Sequence, residues 1–195
     1  MIILFCVFAY FFGAVPWGYL VYYLSEKKDI REFGSRSTGA TNVLRLKGWK
    51  LALPVLLADV FKGFFPVFLA AELTSSEYLP LICGFLAVAG HCYPVYIKFK
   101  GGKGVGTTLG VFLAIIPMVA LIFLGSFFIV IAVSRFVSLG SLIGSFSLIP
   151  SSIFLDLKET VFLSLALFFL IVIRHMGNIK RLFEGTERHL GQKSL

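Results

Sequence analysis

Runs of apolar residues about as long as a bilayer is thick set the first bound on this chain. A helix crossing the hydrocarbon core needs ~20 mostly apolar residues, or ~17–25 with tilt. Segments 2–24, 51–73, 79–97, 137–155 and 160–173 meet or approach that length, the last being short unless it extends into its polar flank. Segment 105–133 is too long for one ordinary span and short for two, and Pro117 sits inside it. Proline removes a helical hydrogen bond and clashes with the preceding turn, so a break near Ile116–Pro117 is predicted. The expected fold is therefore an all-α integral membrane protein of seven transmembrane helices, the sixth segment contributing two, of which the first is unusually short.

Composition agrees with that bound. Of 195 residues, 58% are hydrophobic and 14% charged, against ~45–50% and ~25% in soluble domains. The 22 phenylalanines exclude a disordered chain. No internal repeat or linker is visible, so residues 1–195 read as a single multi-pass domain. Segment 2–24 lacks a basic n-region and an A-x-A cleavage site, and reads as a first membrane helix instead of a secretory signal. Three cysteines, Cys6, Cys83 and Cys92, have no C-x-x-C spacing and suggest neither a disulfide framework nor a zinc site.

The charge is 18 Lys and Arg against 10 Asp and Glu, or +8. With seven crossings, 16 of the 18 basic residues fall on one side, including Arg174, Lys180, Arg181, Arg188 and Lys193 at the C-terminus. With six crossings that C-terminal group faces outward, against the positive-inside tendency. The predicted topology thus puts the N-terminus outside and the C-terminus in the cytoplasm. Nucleic acid is excluded as a partner, because the basic residues are dispersed over several short loops. Asp59 and Lys62 share a face of the second span, either as an intrahelical ion pair or as residues lining a cavity. Gly13, Pro16 and Gly18 suit close packing or a kink in the first span.

Three polar motifs interrupt the apolar pattern. The first, Gly34-Ser35-Arg36-Ser37-Thr38-Gly39-Ala40-Thr41-Asn42-Val43-Leu44-Arg45, combines hydroxyls and guanidinium groups between small residues. Such a segment can bind an anion through backbone N–H groups, hydroxyls and a bidentate Arg, or can be a hydrated loop with a helix cap. In the second, Gly90 to Thr107, the glycines Gly101, Gly102 and Gly104 surround Lys103 where a helix should begin. Backbone donors, a helix dipole and a cation then converge as in a phosphate site, although the Walker spacing is absent. The alternative is a flexible turn with snorkelling lysines. The third, Arg174 to Glu187, holds His175 and Asn178 one turn apart, followed by Arg181 and Glu187. Lys180 and Arg188 read as juxtamembrane residues that meet anionic lipid.

Together, the ordered signatures Gly34 to Arg45, Gly90 to Thr107 and His175 to Glu187 resemble the bacterial acyl-phosphate:glycerol-3-phosphate acyltransferase family (PlsY). The resemblance covers the whole chain, with Gly106 standing where Ala is usual. It implies a bacterial cytoplasmic-membrane enzyme that moves a fatty acyl group from acyl phosphate to glycerol 3-phosphate, giving lysophosphatidate and phosphate. It further implies that Ser35, Arg45, Lys103, His175 and Asn178 contact the substrates, with Gly101 and Gly102 near a phosphate. Gly34, Ser37, Gly39, Thr41, Asn42, Gly104, Arg181 and Glu187 complete the expected substrate-binding set. No metal and no cofactor is expected. A monomer is compatible with the chain, and no oligomeric state is implied.

In that scheme the primary hydroxyl of glycerol 3-phosphate attacks the acyl carbonyl and phosphate leaves. Lys103, Ser35 and the Gly101–Gly102 amides are expected on a phosphate, with Arg45, His175 and Asn178 on the acceptor. The H-x-x-x-x-D pattern of soluble-type acyltransferases is absent, since Tyr96, Lys180 and Ser194 follow His91, His175 and His189 at that spacing. The proton goes either to His175 or to a substrate phosphate, whose second pKa is ≈ 6. His91 reads as structural and His189 as a solvated tail residue. A transporter for a phosphorylated metabolite is the competing class, disfavoured because few ionisable residues continue to the outer side. A CDP-alcohol phosphotransferase would need clustered aspartates, whereas Asp29, Asp59 and Asp156 are scattered.

Overall fold

The computed structural model describes residues 1–155 and 157–192; Asp156, Lys193, Ser194 and Leu195 lie outside the described residues. Every regular element among the described residues is helical: α1 Ile2–Gly13, α2 Trp17–Glu26, α3 Ala40–Lys47, α4 Trp49–Leu73, α5 Tyr78–Cys92, α6 Val105–Ile115, α7 Pro117–Ser134, α8 Val137–Phe154 and α9 Lys158–Phe183. Short 3₁₀ turns at Ile30–Glu32 and Val95–Ile97 shape the first two polar loops.

Six stretches are long and apolar enough to cross a bilayer: Ile2–Glu26, Trp49–Leu73, Tyr78–Ile97, Pro117–Ser134, Val137–Phe154 and Lys158–Phe183. α6 has only 11 residues, about 16 Å at ~1.5 Å per residue against a ~30 Å hydrocarbon core. It ends where the sequence predicts, at Ile116, which leaves helical geometry (φ −148, ψ 92) and serves as N-cap for Pro117 at the start of α7. The last helix is much longer than its apolar segment. It incorporates Arg174, His175, Asn178 and Arg181, because His175 and Asn178 turn inward and are buried at 2% and 4% exposure.

The first span breaks between α1 and α2 at Ala14–Pro16. Pro16 brings no N–H, and a carbonyl freed inside a membrane must find a donor. Lys62 Nζ of α4 supplies it, donating to the Val15 oxygen at 2.8 Å. Small residues then let backbones touch. A Cβ at Gly13 would lie 2.2 Å from the Ala87 oxygen, and one at Gly110 would lie 1.9 Å from the Val60 oxygen, so α1 meets α5 and α4 meets α6 at backbone contact. The main apolar core joins Val67 of α4, Val88 of α5, Val111 and Phe112 of α6, Phe123 of α7, Leu148 of α8 and Leu167 of α9. The outer faces carry exposed apolar residues such as Val133, Phe154 and Phe162, as suits helices surrounded by lipid.

Candidate active site

A cavity of about 380 Å³ opens where the three polar motifs meet. Its polar lining comes from Ser35, Ser37, Gly39, Thr41, Asn42 and Arg45 of the first motif, Lys103 and Gly104 of the second, and His175, Asn178 and Glu187 of the third. Its apolar lining comes from Leu53 and Leu56 of α4, Leu109 of α6, and Phe123, Leu124, Phe127 and Phe128 of α7. One concavity therefore offers groups for an anionic head and apolar surface for a hydrocarbon chain.

The first motif is held as a loop by Asn42, only 1% exposed. Its Oδ1 accepts from the Ser35 amide at 2.9 Å, and its Nδ2 donates to the Phe33 and Ser37 oxygens at 3.2 and 2.9 Å. Asn42 borders the cavity, and its amide braces the loop: both Nδ2 hydrogens are committed to backbone oxygens, so they do not serve a substrate. Gly34 takes a left-handed turn (φ +59) and lies outside the lining. α3 begins after Gly39, which presents the helix start and Arg45 to the cavity. The half-buried Arg45 guanidinium has no hydrogen-bond partner among the described residues. Burial pulls its pKa below the ordinary arginine value, opposed by the Glu187 carboxylate and reinforced by Arg188 and Arg181.

In the second motif the glycines act differently from the sequence expectation. The Gly101 and Gly102 amides donate to the Cys92 and His91 oxygens at 3.3 and 3.0 Å, so neither is free to hold a phosphate. A Cβ at Gly101 would sit 2.2 Å from the His91 oxygen, and one at Gly102 would sit 2.0 Å from His91 Nε2. Close approach, not anion binding, demands glycine there. Gly104 (φ +86) opens α6, whose first-turn amides have no intrahelical partner and carry the positive end of the dipole. Arg174 holds the strap from the other side, Nε donating to the Gly102 oxygen at 3.0 Å and Nη2 to the Gly101 oxygen at 3.1 Å, with its guanidinium 5.1 Å from the Tyr93 ring.

Lys103 and the third motif form one chain of hydrogen bonds. Lys103 Nζ donates to Asn178 Oδ1 at 2.6 Å, and Asn178 Nδ2 donates to Glu187 Oε1 at 2.7 Å. Ser138 Oγ donates to the same Oε1 at 2.9 Å, and Arg181 Nε donates to Oε2 at 2.7 Å. An ammonium only donates and a carboxylate only accepts, so the Asn178 amide can point only one way. Glu187 thus aims Asn178 and Arg181 while itself lining the cavity, where its negative charge disfavours direct contact with a phosphate. Arg181 reaches Glu187 and does not line the cavity. Burial pushes the Lys103 pKa down to about 8, opposed by Glu187 and deepened by Arg45, Arg181 and Arg174. Glu187 lies below the ordinary glutamate value: burial would raise it, but donation from Asn178, Ser138 and Arg181 outweighs that.

His175 Nδ1 lies 2.9 Å from the Ile171 oxygen. A carbonyl cannot donate, so Nδ1 carries the proton and the neutral ring keeps a lone pair on Nε2. The Asp59–Lys62 pair is real, at 2.8 Å, and Asp59 and His91 also border the cavity. Ser138 and Ser141 of α8 are lining residues that the sequence reading missed. Their signal was a one-face spacing of serines, Ser138, Ser141 and Ser145, inside an apolar span.

The comparisons with known proteins agree with this geometry. A family model described as Glycerol-3-phosphate acyltransferase matches residues 3–185. A glycerol-3-phosphate acyltransferase of Thermoanaerobacter pseudethanolicus is 40% identical over 193 residues, covering 98% of this chain and 97% of the relative. Crystal structures of PlsY, an integral membrane glycerol 3-phosphate acyltransferase, superpose in two forms. The glycerol 3-phosphate form gives a TM-score of 0.91 at 35% identity, covering 97% of this chain and 96% of that one. The lysophosphatidic acid form gives 0.89 at 33%, covering 98% and 96%. A cation-lined, half-apolar cavity in an all-helical membrane fold and a match along nearly the whole length lead to one conclusion: this chain belongs to the glycerol-3-phosphate acyltransferase family and is a multi-pass membrane acyltransferase.

Proposed function

We propose that the chain transfers a fatty acyl group from acyl phosphate to the primary hydroxyl of glycerol 3-phosphate, releasing lysophosphatidate and inorganic phosphate. The observation that carries this reading is the mixed lining of one cavity, which joins Arg45 and Lys103 with the apolar side chains of Leu53, Leu56 and Phe127. Both substrates bring phosphates, and their mutual repulsion must be offset by cations and dipoles fixed beforehand. Lys103, Ser35 and the free first-turn amides of α6 hold a phosphate. Asn178 takes one Lys103 N–H and leaves the other two for substrate.

Arg45 and His175 place the acceptor, with His175 Nε2 able to accept a hydrogen bond from the attacking hydroxyl. The hydroxyl oxygen bonds to the acyl carbon as the carbon–oxygen bond to phosphate breaks. The hydroxyl proton ends on a phosphate oxygen, whose second pKa is ≈ 6. Phosphate is a good leaving group, so orientation and charge stabilisation suffice without a covalent intermediate.

Residues 1–195 act as a single domain in a bacterial cytoplasmic membrane. α6 is counted as a seventh, short traverse, which puts the N-terminus outside and the C-terminus and the cavity on the cytoplasmic side. Support comes from the convergence of three loops on one cavity: two helices separate the first loop from the second, and four separate the second from the third.

The test is donor choice by the purified protein in proteoliposomes. With acyl phosphate, acyl-CoA and acyl carrier protein each offered beside labelled glycerol 3-phosphate, lysophosphatidate is expected from acyl phosphate alone. Equal rates from acyl-CoA would overturn the donor assignment, and label exchange without product would favour transport.

A further inference from the structure

The proposed chemistry leaves unused a buried charged cluster beneath the site. Asp59 and Lys62 are 4% and 2% exposed, and His91 is 6% exposed. Lys62 Nζ reaches Asp59 Oδ1 at 2.8 Å and the Val15 oxygen at 2.8 Å. His91 Nδ1 faces the same Oδ1 at 3.4 Å and has no hydrogen-bond partner among the described residues. Burying an ion pair is weak support for stability, since desolvation offsets most of the attraction and apolar residues of the same volume often do as well. A cluster of this kind therefore calls for a second consequence, and His91 supplies one.

The far edge of the imidazole is the surface on which Gly102 rests. A Cβ on Gly102 would lie 2.0 Å from Nε2, 2.6 Å from Cε1 and 2.9 Å from Cδ2. The Gly102 amide also donates to the His91 oxygen at 3.0 Å. Lys103 is the next residue. We propose that Asp59, Lys62 and His91 are positioning residues for acyl transfer: the ion pair anchored to the break in the first span fixes the imidazole, the imidazole fixes Gly102, and Gly102 sets where the Lys103 ammonium stands. The inference rests on the reading of Lys103 as a phosphate ligand.

The test is a steric suppressor with a positional readout, made on the full-length protein. kcat/KM and its pH profile are measured for Gly102→Ala, His91→Ala and the double variant. The added methyl collides with the ring and displaces Lys103; a misplacement near 1 Å costs on the order of a hundredfold. Removing the ring opens the space, so the double variant is expected to run at least about tenfold faster than Gly102→Ala. The alkaline limb of the profile adds what a purely structural clash would not move. It shifts upward in Gly102→Ala as Lys103 leaves its buried position, and returns toward the wild-type value in the double variant. Should Gly102→Ala fail to fold, recovery of monodisperse protein on adding His91→Ala is the first readout.

Additive losses, or an unchanged limb in Gly102→Ala, would overturn the positioning role. A wild-type rate in Lys103→Met would instead overturn the phosphate-site reading beneath it, so the two failures are distinguishable.

Discussion

Raising the pH above 8 should disable this enzyme through one side chain. Lys103 lines the cavity with its pKa pushed down to about 8, chiefly by burial and then by Arg45, Arg181 and Arg174, with Glu187 opposing. In the proposed function the charged form binds phosphate, so activity is expected to be full below that value and lost above it. At pH 9 a group titrating at 8 keeps roughly one part in eleven of its charge, whereas an ordinary lysine near 10.4 keeps about 96%. kcat/KM, which reports the free enzyme, should therefore fall about tenfold between the plateau and pH 9. The substrates do not produce this limb, because their phosphates are already dianionic above a second pKa of ≈ 6.

The assay is initial-rate formation of lysophosphatidate at subsaturating glycerol 3-phosphate between about pH 6.5 and 9.5, corrected for donor hydrolysis. Two variants separate the cause from coincidence. Lys103→Arg carries a charge that does not titrate, so its plateau drops but its limb vanishes. Glu187→Gln removes the charge that supports the ammonium, so the limb moves to lower pH. An identical limb with an unchanged midpoint in Lys103→Arg would refute the reasoning.

Other consequences follow from single contacts. Arg174→Lys cannot donate to both the Gly101 and Gly102 oxygens, and hydrogen bonds from a charged group are worth ~1.5–3 kcal/mol; kcat/KM should drop by about tenfold or more, and wild-type kinetics would show that the strap stands without it. Thr108 is fully buried and its hydroxyl has no partner among the described residues. Thr108→Val removes that unmet group at nearly constant shape, so thermal stability in detergent should hold or rise by up to about 1 kcal/mol, and a clear fall would mean the hydroxyl is satisfied. The connection between α4 and α5 should face outward: Ser76→Cys should react with an impermeant thiol reagent in intact cells and be protected in inverted vesicles, and the reverse pattern would overturn the proposed topology.

What the sequence made legible depended on whether a residue's chemistry has one structural meaning or several. Proline inside an apolar run has more than one, since α4 runs on through Pro54 and Pro66 and α8 through Pro150; the break at Ile116–Pro117 lies where it was expected because that run is also too long for one span. Ionisable residues one turn apart in a span have two, and both hold: Asp59 pairs with Lys62 and also borders the cavity. The end of α9 was less legible because hydropathy reads composition without direction. Arg174, His175 and Asn178 look like a helix leaving the membrane, yet the helix continues through them because their side chains turn to the cavity and the strap instead of to lipid.

Glycine is the most ambiguous letter in the second motif, since a free amide for an anion and the absence of a Cβ for close packing require the same residue. Only the destination of each N–H separates the two. At Gly101 and Gly102 the amides are already committed to the Cys92 and His91 oxygens, so the free donors lie one turn later, at the start of α6. On the proposed reading the anion site is then Lys103 and a helix end, and the glycines before it set how near that lysine can come.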